Sequence, residues 1–431
     1  MIAFQPSVQA SLSKARRLRG TFTLPGDKSI SHRLAILGGL AFGPTRLRGF
    51  ASAADCQSTL DCLAALGVPV RRQGNEVEID GSGPEAWRAP AAALDAGNSG
   101  STLRMMMGAL AGRPFRAVLA GDDSLNRRPM ERVAVPLRAM GARITTCEGK
   151  PPVDVLGAPL RGMVHTLPVA SAQVKTALLL AGLQAEGRTT VSEPARSRDH
   201  TERLLPLFGA AVRQEGLAVS VDGGTRLHGA SIDVPGDPSS AAFLVVAALI
   251  TPGSWLRLEN VLLNPTRIAF VDVLRRMGGD VQTGLDRSSS EDVGWIEARF
   301  SALCGVAIDP AVVPALIDEV PALAVAGACA TGEFSVSGAA ELRVKESDRV
   351  FALAEGLSRM GVDVVEKPDG LVVRGGRPLQ GAEVRAHHDH RIAMALSVAA
   401  LAASGETRLE GAECVAVSYP RFYEDLAEAQ Q

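Results

Sequence analysis

The chain has 431 residues, with 45 Lys and Arg against 47 Asp and Glu, a formal net charge of −2, and only 4% aromatic residues. That length allows two domains with full cores, and the balanced charge with few aromatics speaks against the basic face or stacking platform of a nucleic-acid binder. No apolar run approaches the roughly 18–20 residues of a membrane span, and Met1-Ile2-Ala3-Phe4-Gln5 lacks the charged start of a secretory leader, so a cytoplasmic protein is expected.

In chain order, Thr21-Phe22-Thr23-Leu24 reads as a strand with no helix before it. Leu24-Pro25-Gly26-Asp27-Lys28-Ser29 then ends that strand, turns at Pro-Gly, and enters a long apolar segment through Asp and Ser. Val234-Pro235-Gly236-Asp237-Pro238-Ser239 nearly repeats this junction half a chain later, leading into the apolar run Ala241–Ile250, a buried helix segment. In the first copy Lys28, Ser29, Ser31 and Arg33 crowd the helix start, where free N–H groups and the helix dipole favour an anion. The second copy has Pro238 and Ser240 and no cation. The first junction reads as chemical, the second as structural.

Between and beyond these junctions a unit recurs at a period of roughly 70 residues. It begins with a polar cluster and runs through an apolar helix to a Gly turn (Gly43, Gly112, Gly187, Gly253, Gly332, Gly405) and a strand. An amphipathic helix follows, ending at a cap glycine (Gly67, Gly141, Gly209, Gly278, Gly361) before another strand. The sixth unit reaches Gln431 without its cap and last strand, so Thr21–Leu24 is expected to complete its sheet. The class is α/β (α+β). Two lobes of three units are expected, 1–24 plus 236–431 and 25–235, joined by two hinge strands with the active site in the cleft between them.

The polar clusters opening the units are Lys28–Arg33, Gly97–Arg104, Ser171–Lys175, Pro238–Ser240, Ile317–Glu319 and His387–Arg391; two cationic loops, Asn126–Pro129 and Arg343–Arg349, precede amphipathic helices. Set at helix N-termini, they would line a cleft with dipoles, hydroxyls and an excess of Lys and Arg, suited to substrates carrying several phosphates or carboxylates. Only six residues are Lys, and Lys28, Lys175 and Lys345 all fall in these clusters, where a compact cation able to exchange a proton differs from Arg.

Plainer readings compete. Ser171, Ser239 and Ser240 suit ordinary N-caps, and the Arg343–Arg349 loop also suits a solvated turn. Asp27 before Lys28 and Phe22 five residues before Asp27 break the P-loop pattern. His387-His388-Asp389-His390 has no second His or Cys cluster to complete a metal site. Cys56, Cys62, Cys147, Cys304, Cys329 and Cys414, scattered without CxxC spacing, read as core residues of a reducing compartment.

LPGDKSISHR at 24–33, GNSGSTLR at 97–104, NRRPM at 126–130, SAQVK at 171–175, RDHTE at 198–202, VPGDPSSAAF at 234–243, IDEVP at 317–321, LRVKESDR at 342–349 and DHRIAMA at 389–395 together resemble the 5-enolpyruvylshikimate-3-phosphate synthase family, in wording close to its class II branch. The resemblance implies two lobes of three βαβαββ units, the inside-out barrel of the enolpyruvyl transferases. It implies transfer of the enolpyruvyl group of phosphoenolpyruvate to the 5-hydroxyl of shikimate 3-phosphate, releasing phosphate, in aromatic amino-acid biosynthesis. Carried over by motif, shikimate 3-phosphate would be held by Lys28, Ser29, Arg33, Ser171, Ala172, Gln173, Arg198, Asp318 and Lys345. Phosphoenolpyruvate would be held by Lys28, Gly100, Arg128, Gln173, Arg349 and Arg391, with Asp318 as proton acceptor, Glu346 as its acid–base partner, and Lys28 also catalytic. No metal or organic cofactor is called for, the partners are the two small substrates, and a monomer is expected.

The sequence departs from the family where many members place a Lys before a Thr-Phe-Pro motif: Ala416-Val417-Ser418-Tyr419-Pro420 stands there, removing that contact. It has Gly100 where glyphosate-tolerant members carry Ala, so room for the inhibitor is expected. The UDP-N-acetylglucosamine enolpyruvyl transferase is the nearest rival, but it has Lys-Asn at the Lys28-Ser29 position and a reactive Cys in the loop matching Gly121–Arg128, which has none. A catalytically dead sugar-phosphate binder would not need Asp318, Lys345 and Glu346 intact.

Overall fold

The computed structural model describes residues 3–4 and 9–431; Met1, Ile2 and Gln5, from the segment read for a leader, lie outside the described residues. The chain forms two compact units, a terminal unit of Met1–Pro25 with Pro235–Gln431 and an inserted unit of Gly26–Val234.

In the inserted unit the helices are α1 (Lys28–Leu40), α2 (Ala54–Ala65), α3 (Gly100–Leu110), α4 (Glu131–Met140), α5 (Ala172–Gly182) and α6 (His200–Leu204). In the terminal unit they are α7 (Pro238–Ile250), α8 (Ala269–Arg276), α9 (Val313–Leu316), α10 (Val320–Cys329), α11 (Arg349–Arg359), α12 (His390–Ala400) and α13 (Phe422–Glu428). α1, α3, α5, α7, α10 and α12 follow the polar clusters and are apolar on nearly every side, so they can persist only with protein all round. Every residue of α7 is buried, as is α1 from Ile30 onward. Side chains fix their starts: Asp27 accepts from Ile30 N, Ser99 from Thr102 N, Asp237 from Ser239 N and Asp389 from Arg391 N. All five cap glycines named above have positive φ, whereas Gly112 does not; a Cβ on Gly112 would meet Gln184 Oε1 at 2.8 Å, so a larger residue there would shift the end of that side chain.

The second and third units show one pattern in full. A strand leads into a buried helix, the next strand returns parallel to it, and an antiparallel hairpin follows the amphipathic helix. Val164–Thr166, for example, pairs in parallel with Arg188–Ser192, which pairs antiparallel with Ala218–Asp222.

The structure corrects the assignment of Thr21–Leu24. This segment runs as Arg19–Thr23 parallel to Trp255–Leu262 in the fourth unit's sheet, and Gln9–Ser13 lies antiparallel to Glu406–Glu410 in the sixth. The reason is the crossover rule exchanged between units. Arg19–Thr23 leads towards α1 but pairs with the strand after α7; Ser231–Asp233 leads towards α7 but pairs with Phe42–Arg48, the strand after α1. At the first crossing a Cβ on Gly26 would fall 1.8 Å from Gly49 O, so no larger residue fits that path.

The cysteines are also corrected in part. All six are free, and Cys56 and Cys62 are buried, but Cys147 and Cys304 are exposed. Cys147 ends the strand Arg143–Cys147 at a hairpin, beyond the reach of the core.

Candidate active site

In the inserted unit the starts of α1, α3 and α5 come together. Lys28, at the first turn of α1, pairs through Nζ with Asp55 Oδ2 at 2.9 Å, and Asp55 sits in the first turn of α2. Arg33, one turn further, is 4% exposed and spans two elements: its Nη1 donates to Ser29 O at 2.8 Å, its Nε to Thr201 Oγ1 at 2.9 Å, and its Nη2 to Thr176 Oγ1 at 3.0 Å. Arg198 Nη1 donates to Ser29 Oγ at 3.2 Å. Arg33 Nη2 also reaches Ala172 O at 3.5 Å, beside Ser171, whose backbone N donates to Glu193 Oε1 at 3.0 Å. Ser29, Arg33, Ser171, Ala172 and Arg198 therefore share one neighbourhood.

A second neighbourhood lies on the other side of the α5 start. Gln173 Oε1 accepts from Arg104 Nη1 at 2.7 Å, while Gln173 Nε2 donates to Ser101 Oγ at 2.9 Å, which fixes the amide's orientation. Arg128 Nη2 donates to Asn98 Oδ1 at 2.6 Å. A Cβ on Gly100 would lie 2.8 Å from Arg104 Nη1 and 3.4 Å from Arg128 Nη1, so this glycine lets two guanidinium groups approach the helix start. Two cations, an amide and the N–H groups of α3 are thus concentrated where an anion gains most.

In the terminal unit the candidate residues gather around Arg349. Its guanidinium meets Asp389 Oδ2 at 2.8 Å, Asp318 Oδ1 at 3.2 Å and Glu346 Oε2 at 2.5 Å, with its side chain 1% exposed. Burial alone would lower the Arg349 pKa, but Asp389, Glu346 and Asp318 raise it overall. Lys345 Nζ lies 3.4 Å from Asp318 Oδ1, and Arg391 Nη1 donates to Asp318 O at 2.9 Å. With Arg391 Nη2 also 3.8 Å from Asp318 Oδ2, the Asp318 carboxylate faces three cations. Glu346 is engaged with Arg349, and Arg349 is a buried hub turned towards carboxylates.

Two readings of the clusters change. The second Pro-Gly-Asp junction, read as lacking a cation, receives one from outside the motif: Arg267 Nη2 donates to Asp237 Oδ1 at 3.0 Å and to Ser239 Oγ at 3.1 Å. Ser239 in turn donates to the buried Glu319. Lys175, grouped with the site cations, is 2% exposed and paired with Glu193 and Glu202. Asp55, Glu193 and Arg267 lie outside the polar clusters and appear only in the structure as partners of their residues, while Arg104, inside the Gly97–Arg104 cluster, is not assigned to a substrate by the motifs. Arg104 carried a signal, since it stands one helical turn after Gly100.

Repeated βαβαββ units whose buried-helix starts collect cations are the architecture of an enolpyruvyl transferase. The enolpyruvyl transferase NikO of Streptomyces tendae shares that fold with a TM-score of 0.78 over 97% of this chain and 96% of that one, at 22% identity. More particularly, the family model of EPSP synthase (3-phosphoshikimate 1-carboxyvinyltransferase) matches residues 12–426, and the chain belongs to that family. A 3-phosphoshikimate 1-carboxyvinyltransferase of Geobacillus kaustophilus is 51% identical over 95% of this chain and 97% of its own length. One of Halorhodospira halophila is 52% identical over 95% and 93%. The solved EPSP synthase of Acinetobacter baumannii matches with a TM-score of 0.87 at 45% identity, covering 98% of each chain.

Proposed function

We propose that the chain performs the family's reaction, transferring the enolpyruvyl group of phosphoenolpyruvate to the 5-hydroxyl of shikimate 3-phosphate with release of phosphate, and that both units contribute residues to it. The observation that carries this reading is the pair of neighbourhoods flanking the start of α5. Ser29, Arg33, Ser171, Ala172 and Arg198 bind shikimate 3-phosphate on one side; Gly100 and Arg128 bind phosphoenolpyruvate on the other, and Lys28 and Gln173 serve both. Asp318 and Lys345 address the shikimate hydroxyls, and Arg349 and Arg391 complete the phosphoenolpyruvate set.

The chemistry asks for proton transfer and charge neutralisation. The 5-hydroxyl oxygen bonds to C2 of phosphoenolpyruvate and gives its proton to Asp318, while C3 gains a proton. The tetrahedral adduct then loses phosphate by cleavage of its C2–O bond, and a proton leaves C3 to restore the vinyl group. Glu346 is the acid–base partner at C3. Lys28, Arg128 and Arg391 offset the charge on the departing phosphate. The free thiols suit a reducing cytoplasm, and a monomer suffices for the reading.

Calorimetric titration of Arg33→Ala and Arg128→Ala tests the division. Arg33→Ala is expected to lose shikimate 3-phosphate binding, and Arg128→Ala to lose phosphoenolpyruvate binding in the presence of shikimate 3-phosphate. The reverse pattern refutes it.

A further inference from the structure

The buried cation Lys175 is left unused by the reaction. It lies one turn into α5, with Nζ 2.7 Å from Glu193 Oε2 and 2.7 Å from Glu202 Oε1, and all three side chains are at most 5% exposed. Glu193 does more than pair with it. Its other oxygen accepts from Ser171 N at 3.0 Å and from Ser197 Oγ at 2.6 Å, the residue before Arg198. Glu202 belongs to α6, next to Thr201, which accepts from Arg33 Nε and lies 2.6 Å, Oγ1 to Oγ1, from Thr176. One cation thus ties together the start of α5, the loop that follows the strand Arg188–Ser192, and α6. The groups at those three places are Ser171, Arg198 and the anchor of Arg33.

We propose that Lys175, Glu193 and Glu202 form a positioning device for the shikimate 3-phosphate half of the site, setting Ser171, Arg198 and Arg33 at fixed spacing without touching the substrate. This rests on the functional reading above. The physical case is that a lone ammonium between two carboxylates away from water tolerates little displacement, because moving either carboxylate off Lys175 leaves a charge buried and unpaired. Burial raises the Glu202 pKa, and Lys175 opposes the rise without cancelling it. The phosphoenolpyruvate residues Gly100 and Arg128 lie instead against Arg104 and Asn98, and Gln173, shared by the two substrates, is held by Arg104 and Ser101 rather than by Lys175. The device should act on one substrate only.

Glu193→Gln keeps the size and one acceptor oxygen while removing the charge facing Lys175. The expected result is a Kd for shikimate 3-phosphate raised about tenfold, or about 1.4 kcal/mol, with kcat at saturation and the KM for phosphoenolpyruvate changed less than about threefold. If that variant does not fold, Lys175→Gln, which keeps donors for both carboxylates, is read by the same constants and should raise the Kd at least fivefold. A folded variant with unchanged affinity, or with both substrates weakened equally, overturns the device. A parent chain that binds no shikimate 3-phosphate overturns the functional reading and the device with it; a parent that binds normally beside an equally tight Glu193→Gln overturns the device alone.

Discussion

Arg349 donates through Nε to Asp389 Oδ2 at 2.8 Å, with neither side chain more than 1% exposed. Asp389 caps α12 through Arg391 N, so one carboxylate holds both the hub and the helix that presents Arg391. Arg349 reaches Asp318 and Glu346 as well. Removing the arginine takes the shared buried cation from three carboxylates at once, whereas removing Asp389 leaves the arginine two partners. Arg349→Met is therefore expected to destabilise the protein by about 3–5 kcal/mol, and Asp389→Asn by less. Urea unfolding of the two variants checks the order, and a larger loss in Asp389→Asn would contradict it.

Asp318→Asn preserves shape and removes the proposed proton acceptor. Phosphate release is expected to fall by at least about 10²-fold while shikimate 3-phosphate still binds. Steady-state assays beside calorimetry decide it; near-parent turnover rejects the assignment.

Gly100→Ala places a methyl 2.8 Å from Arg104 Nη1 and 3.4 Å from Arg128 Nη1. The end of Arg104 must move, and with it the grip on Gln173. The KM for phosphoenolpyruvate is expected to rise several-fold, and more than the Kd for shikimate 3-phosphate. The parent is expected to be inhibited by glyphosate, and the variant's inhibition constant to rise more than its KM, because a steric change discriminates against the longer ligand. Equal changes in the two constants would refute the steric account.

His32 gives a pH prediction. It is buried on α1 with Nδ1 2.7 Å from Thr59 Oγ1, and burial, then Lys28 and Arg33, lower its pKa well below the ordinary value. Burial lowers His165 as well. An unfolded His takes a proton below about pH 6.5, while folded His32 stays neutral, so this contribution to stability is present above that pH and lost as pH falls towards the folded pKa. The slope is up to about 1.4 kcal/mol per pH unit for each such group. His32→Asn should flatten the fall in urea stability between pH 7.5 and 5 by nearly one proton; an unchanged slope contradicts this.

Much of this was legible because it is local. The Pro-Gly-Asp junctions, the cap glycines and the polar helix starts are written in consecutive residues, and the folded chain keeps them. Pairing is not local. Thr21–Leu24 is a strand by its own pattern, but only the crossover to the strand after α7 decides its sheet, while Gln9–Ser13 buries Ala10 and Leu12 by an alternation that could have marked it for the sixth unit. Lys175 resembled a site cation because its partners Glu193 and Glu202 arrive from a strand end and a later helix. Arg267 escaped for the same reason, entering the second junction from outside its motif.

The most direct test of the account is phosphate release by the full chain given shikimate 3-phosphate and phosphoenolpyruvate together, with each omitted in turn and with UDP-N-acetylglucosamine as the alternative acceptor. The account predicts release that requires both phosphorylated substrates, matched mole for mole by the enolpyruvyl ether of shikimate 3-phosphate. No release with that pair, or release supported only by the nucleotide sugar, would contradict it.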